Sequence, residues 1–259
     1  MGVINATNDS FYGASRRGTS DEILELAENM VVNGADILDI GAESSRPGSL
    51  PISEDIEINR LKNVIPELVK RFSVPISVDT YKPKVAECVL NGGAAIINDI
   101  TGLNNCPETA SIVSKFNAGI VLMHMQETPE VMQENPDYED LISEIKLFLK
   151  ESADKAVQAG INPDKIALDP GIGFGKTVDH NLQIIRELDK FYSLNYPMVL
   201  GVSRKSFIGK ILDLPVEERL EGSIAAAVIG LRNGARIFRV HDVKETVRAI
   251  HIAEKILNL

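Results

Sequence analysis

The chain has little of what staples a small protein, cages a metal or attracts a polyanion. Two of its 259 residues are cysteine, Cys88 and Cys106, and neither lies in a CxxC or other ligand spacing. A disulfide framework and a zinc cluster are therefore set aside, and the thiols read as free, in a reducing compartment. The four histidines, His124, His180, His241 and His251, form no HExxH or paired spacing. Basic residues are outnumbered, 27 Lys and Arg against 37 Asp and Glu, for a net charge of -10. That field repels phosphate polymers and argues against nucleic-acid or membrane-surface partners, so an anionic small substrate needs a local basic patch. No apolar run approaches a membrane span, and Met1 leads to Val3-Ile4 without a signal-peptide n-region, which places the protein in the cytoplasm. Linkers, charge blocks, low-complexity runs and a strong repeat are also missing, so residues 1–259 read as one domain.

What is present is a rhythm. Eight short apolar runs recur: Gly2-Ala6, Ile37-Ile40, Ile76-Val78, Ala95-Ile97, Ile120-Met123, Ile166-Leu168, Val199-Val202 and Ile237-Val240. Each precedes a helical pattern: Ser20-Val32, Glu54-Phe72, Lys84-Asn91, Glu108-Phe116, Tyr138-Ala159, Asp179-Phe191, Val216-Arg232 and Val243-Leu257. Short strands alternating with amphipathic helices imply right-handed βαβ units and a parallel sheet. Eight such units, at a length near the usual size of that fold, predict an α/β protein built as a single (β/α)8 TIM barrel. Thr19 to Glu22 and Asp242 to Glu245 have capping-box spacing. Gly34, Gly92-Gly93, Gly119, Gly160 and Gly234 fall where helices should stop and turn back. Asp9-Thr19, Gly41-Ser53 and Gln126-Asp137 are the least regular stretches, the first two being candidate lids.

In this fold chemistry sits at the C-terminal ends of the strands. Those ends supply Asn5; Asp39 with Glu43 and Arg46; Asp79; Asn98 with Asp99; His124; Asp169; Arg204 with Lys205; and Arg239 with His241. A polar rim is ordinary in a barrel, because strand ends need solvation. Asp79 and Asp169 follow apolar strands closely enough to be buried, so each needs a donor: a salt bridge to Lys205 or Arg204, or a ligand. A heterocycle offering an N–H beside an exocyclic amine suits a carboxylate, and Asn98 can donate or accept next to it. Arg239 and His241, at i and i+2 on the last strand, point to phosphate, unless Arg239 pairs with Asp242. The run Asp169-Pro-Gly-Ile-Gly-Phe-Gly-Lys176-Thr177 is neither a P-loop nor a dinucleotide fingerprint, since Pro170 stands at the leading glycine position and the spacing is GxGxG. Its glycines let backbone approach a flat ligand, with Phe174 stacking or capping.

Taken together, the segments Met1 to Phe11, Asp39 to Gly48, Ser77 to Thr80, Ile97 to Asp99, Leu122 to Gln126, Leu168 to Lys176, Gly201 to Ser206 and Arg239 to Asp242 resemble the dihydropteroate synthase family. The resemblance spans nearly the whole chain in family order. It implies a transferase that condenses 6-hydroxymethyl-7,8-dihydropterin diphosphate with 4-aminobenzoate in folate synthesis, a sulfonamide target and a homodimer. By resemblance, Asp169 and Asn98 read the aminopyrimidine edge, Asp79 sits by the ring nitrogens and Lys205 donates to the pterin. Asn5, Arg239, His241 and Arg46 hold the diphosphate, Asn5 helping to place Mg2+. Ser206 takes the benzoate carboxylate, Ser45, Pro47 and Phe174 wall the benzoate, and Met123, Gly173 and Arg204 join the substrate-binding set. A corrinoid-dependent pterin methyltransferase, a class I aldolase with Lys205 as Schiff base and a non-catalytic pterin binder stand as alternatives.

Overall fold

Eight parallel strands run around the molecule in sequence order: β1 (Gly2–Asn5), β2 (Leu38–Gly41), β3 (Ile76–Asp79), β4 (Ile96–Asp99), β5 (Gly119–Met123), β6 (Ile166–Asp169), β7 (Met198–Leu200) and β8 (Ala235–Phe238). The computed structural model describes residues 1–6, 18–44, 48–128, 130–134 and 136–259. The sheet closes just past β8: the Val3 N–H donates to the Val240 carbonyl at 3.0 Å, and the Val240 N–H to the Met1 carbonyl at 2.9 Å. Each of these strands has hydrogen-bonding partners on both sides, so no open edge remains among the described residues. The TIM barrel is thus as the sequence rhythm predicts.

Alternation along each strand sorts side chains into two sets. Ile4, Leu38, Ile40, Val78, Ile97, Leu122, Leu168 and Leu200 belong to the large core beneath the helices. Val121, Ala167 and Val199, with Ile96 and Ile237 against them, form a separate small cluster that fills the lumen. The residue two positions further along each of these five strands is Met123, Asp169, Gly201, Asn98 or Arg239, which brings the chemistry to one end of the barrel.

The helices are α1 (Gly18–Val32), α2 (Glu54–Leu61), α3 (Val64–Arg71), α4 (Pro83–Asn91), α5 (Thr109–Lys115), α6 (Leu141–Gln158), α7 (Val178–Arg186), α8 (Ser206–Leu212), α9 (Leu220–Arg232) and α10 (Val243–Leu257). The predicted 54–72 helix is two, because Pro66 cannot donate to a carbonyl four residues back and is tolerated only in the first turn of α3. The predicted 179–191 helix ends at Arg186 and passes into a tight 3₁₀ turn, Leu188–Leu194. Residues 216–232 likewise open with a 3₁₀ turn, Val216–Glu218, before α9. The expected capping boxes fall differently. Thr19 lies inside α1, and the Asp242 side chain makes no cap bond because its carboxylate is held by Arg204. A capping box does open α7, where Thr177 Oγ1 accepts from the His180 N–H and His180 Nδ1 from the Thr177 N–H. Gly34, Gly93, Gly160 and Gly234 turn the chain with positive φ as expected, whereas at Gly119 that conformation falls to Asn117, φ 51°, two residues earlier.

Candidate active site

One cleft at the C-terminal end of the strands is lined by Asn98, Met123, Asp169, Ile172, Phe174, Ser203, Lys205, Arg239 and His241, among others. The side chains come from β4, β5 and β6 and from the segments that follow β6, β7 and β8, so distant stretches of sequence meet only because the barrel closes.

Arg239 is the electrostatic centre. Its Nε donates to Asp39 Oδ2 and its Nη2 to Asp79 Oδ2, each at 2.7 Å. Asp39 is wholly buried and its Oδ1 has no described partner. Burial works against the charge of Arg239, but the two carboxylates more than offset it and hold the guanidinium protonated above its ordinary range. With one cation between two carboxylates, Asp79 is pushed up to about 7: burial raises it, Arg239 opposes, and Asp39 raises it further. Asn98 donates to Asp39 Oδ2 through a long 3.4 Å contact. His241 is lowered to about 4 by burial and by Arg239, so it is neutral near pH 7. Its Nδ1 lies 3.1 Å from Ser203 Oγ, which itself accepts from the His241 N–H at 3.2 Å. With the serine hydroxyl donating to Nδ1, the ring proton sits on Nε2.

Lys205 follows the neighbouring strand β7, its ammonium 4.1 Å from the centre of the Phe174 ring. Burial and then Arg239 lower it to about 8, so it is largely charged near neutrality. Asp169, raised by burial, accepts from the Gly171 N–H at 2.7 Å. The glycines after it are required: Gly171, Gly173 and Gly175 all have positive φ, and a Cβ on Gly171 would lie 1.9 Å from the His124 carbonyl oxygen. A Cβ on Gly173 would press on the Lys205 stem at 3.2 Å.

Other expected site residues are not among those lining this cleft. Arg204, at φ 55°, turns its guanidinium from the cleft onto Asp242 (Nε to Oδ2 2.8 Å, Nη2 to Oδ1 2.7 Å) and the carbonyls of Val216 and Glu217. It is thus a structural tie between the loop after β7 and the start of α10, and the alternative pairing of Arg239 with Asp242 does not occur. The donor to Asp79 is Arg239, where the sequence suggested Lys205 or Arg204. Ser206 is exposed at the start of α8, and Asn5 is exposed at the end of β1. Ser45, Arg46 and Pro47, and Asp9 to Arg17 of the first candidate lid, fall outside the described residues.

The family model described as "Pterin binding enzyme" matches residues 1–241. The dihydropteroate synthase of Bacillus subtilis (strain 168) is 45% identical over 258 residues, covering 100% of this chain and 88% of that protein. A Clostridium difficile dihydropteroate synthase structure, in the presence of pteroic acid, superposes with a TM-score of 0.93 at 41% identity, covering 98% of this chain and 95% of that one. The Yersinia pestis dihydropteroate synthase structure with a sulfonamide drug complex gives a TM-score of 0.93 at 41% identity, covering 100% and 94%. The chain belongs to the dihydropteroate synthase family.

In this synthase-family chain several buried groups near the cleft were not singled out from sequence. Asp39 was noted at a strand end without its role as partner of Arg239. Lys176, dismissed with the P-loop resemblance, is buried beneath the glycine loop. Lys82 binds Glu43 at 2.5 Å, Glu57 at 2.7 Å and the Ile52 carbonyl at 2.7 Å. For Glu57 the available signal was a charged residue at an otherwise apolar helical position, one turn before Leu61, which burial makes visible only once the helix is docked.

Proposed function

We propose that the chain condenses the methylene carbon of 6-hydroxymethyl-7,8-dihydropterin diphosphate with the amine of 4-aminobenzoate, releasing diphosphate in folate synthesis. The observation that carries this reading is the meeting in one cleft of Asn98 and Asp169, fit for a donor-rich heterocycle edge, with Lys205, Arg239 and His241, fit for an oxygen-rich leaving group. In this mechanism the bond between methylene carbon and diphosphate oxygen breaks with its electron pair on oxygen. The pterin cation left behind adds the arylamine lone pair, and the nitrogen then loses a proton. Asp169 and Asn98 hold the aminopyrimidine edge, Met123 and Gly173 border the pterin, and Lys205 donates to its oxo or N5 acceptor. Ionised Asp79 stabilises the cation. Arg239, neutral His241 through Nε2–H, and Arg46 take the diphosphate, while Ser206, Ser45, Pro47 and Phe174 bound the benzoate. Catalysis is then electrostatic preorganisation, in which one well-placed donor is worth about 2.7–4 kcal/mol.

Asn5 offers a single amide oxygen, and among the described residues no group of three His, Cys, Asp or Glu could hold a metal. That donor set fits Mg2+ arriving with the diphosphate, which Asn5 would help to hold and which would supply charge neutralisation of the leaving group. The same reading places the protein in the cytoplasm, consistent with two free thiols, and makes it a homodimer, for which Ile252 and Ile256, exposed one turn apart on α10, provide apolar surface. Sulfonamides would compete for the benzoate wall. Pteroate formation by Asp79→Ala and Arg239→Ala tests the assignment: each should fall by roughly 100-fold or more, and activity near wild type in both would sink it.

A further inference from the structure

Behind the cleft the glycine loop is tied down from an unexpected side. Gln133 Nε2 donates to the Gly173 carbonyl at 2.7 Å, Lys176 Nζ to the Phe174 carbonyl at 2.8 Å and Tyr138 Oη to the Gly175 carbonyl at 2.8 Å. Three successive carbonyls are thus each taken by a side-chain donor, two of them from the segment between β5 and α6. The Lys176 ammonium is buried and also lies 3.0 Å from His124 Nδ1, just past the end of β5. His124 is neutral, lowered to about 2 by burial and by Lys176, so its Nδ1 is an acceptor. Among the described residues this buried ammonium has a carbonyl and an imidazole as hydrogen-bond partners, with Asp169 the opposite charge acting on it, and such an arrangement is costly to keep. It is kept at the backbone that carries Phe174, whose ring lies 4.1 Å from the Lys205 ammonium.

We infer that Lys176, with Tyr138 and Gln133 beside it, is a positioning residue: it fixes the Gly173-to-Gly175 backbone from behind and thereby sets Phe174 and Lys205 against the pterin. The inference rests on the synthase reading and names residues that touch no substrate. Removing such a donor loosens the ground-state cradle without removing any group from the reacting atoms.

Steady-state kinetics of the full chain test it. Lys176→Met should raise KM for the pterin diphosphate roughly 10- to 100-fold, with kcat within about threefold. Tyr138→Phe, which deletes one oxygen and little packing, should raise it about threefold or more. In a Phe174→Leu background Lys176→Met should have an effect smaller by about tenfold, because the side chain it positions is gone. KM near wild type in Lys176→Met, or effects of Lys176→Met and Phe174→Leu that simply multiply, would overturn the inference. If Lys176→Met does not fold, unchanged KM in Tyr138→Phe overturns it equally. Wild-type chain that forms no pteroate defeats the synthase reading instead, and calorimetric binding of 6-hydroxymethylpterin then reads the same ratios.

Discussion

Arg239 lies between two carboxylates, and the charge of the cleft depends on how the three share protons. Asp79 is the group that gives way, since burial raises it to about 7 while Arg239 is locked on. Lys205 moves the other way, to about 8, because burial disfavours its charge. If Asp79 must be ionised and Lys205 protonated, kcat/KM rises with pH through about 7 and falls above about 8. A pH–rate profile without either limb would remove both roles, and in Lys205→Gln the upper limb should disappear while the lower one stays. Lys205→Ala should also weaken pterin binding. Borohydride treatment of the wild type with carbonyl substrates should leave its mass unchanged, since a trapped adduct at Lys205 would favour an aldolase. Of these residues Asp79, Lys205 and Arg239 were readable as strand-end polar groups. Their pairing was not, because three charges separated by up to 160 positions can exchange partners freely until the strands are in register.

The segment leaving β2 shows what elements add. Lys82, at the start of α4, binds Glu43 on one side of that segment and the Ile52 carbonyl on the other, while Glu43 Oε2 also accepts from the Ile52 N–H at 2.7 Å. Arg60 in α2 donates to the Ala42 carbonyl at 2.6 Å. Lys82 and Glu57 are almost inaccessible, their side chains 9% and 1% exposed, so this is a buried network in which losing one partner strands the others. Lys82→Met should cost about 3–5 kcal/mol and lower Tm by roughly 10 °C. The double change Lys82→Met/Glu57→Leu should cost less than the single one, because the stranded Glu57 carboxylate is removed. Calorimetry reads both, and additive losses would mean the triad is not a unit. At this scale the sequence located nearly every strand and helix, because period 2 and period 3.6 are local properties. It missed the break at Pro66 and the short α8, where packing, and not periodicity, sets the boundary.

Across the whole molecule, stability should carry a signature of Lys176. Burial lowers it to about 7 from an ordinary lysine value. The unfolded chain therefore binds one more proton than the folded one between about pH 7 and 10, and this lysine's contribution grows as pH rises and is lost as pH falls through about 7. Denaturant unfolding at pH 7 and pH 9 should show wild type gaining about 2 kcal/mol or more relative to Lys176→Met, and an equal gap at both values would contradict a buried ammonium. The amino-acid sequence by itself determined the eightfold alternation, the barrel, and the strand-end inventory from Asn5 to His241, since each strand and helix shows a local period and the units need only be counted along the chain. Its motifs pointed to the synthase family before any contact was known. Only the tertiary structure decided that Arg239 belongs to Asp39 and Asp79, that Arg204 belongs to Asp242, and that Lys176 stands behind the glycine loop. Those pairings depend on distance and desolvation between groups far apart in the chain, and neither quantity exists until the barrel has closed.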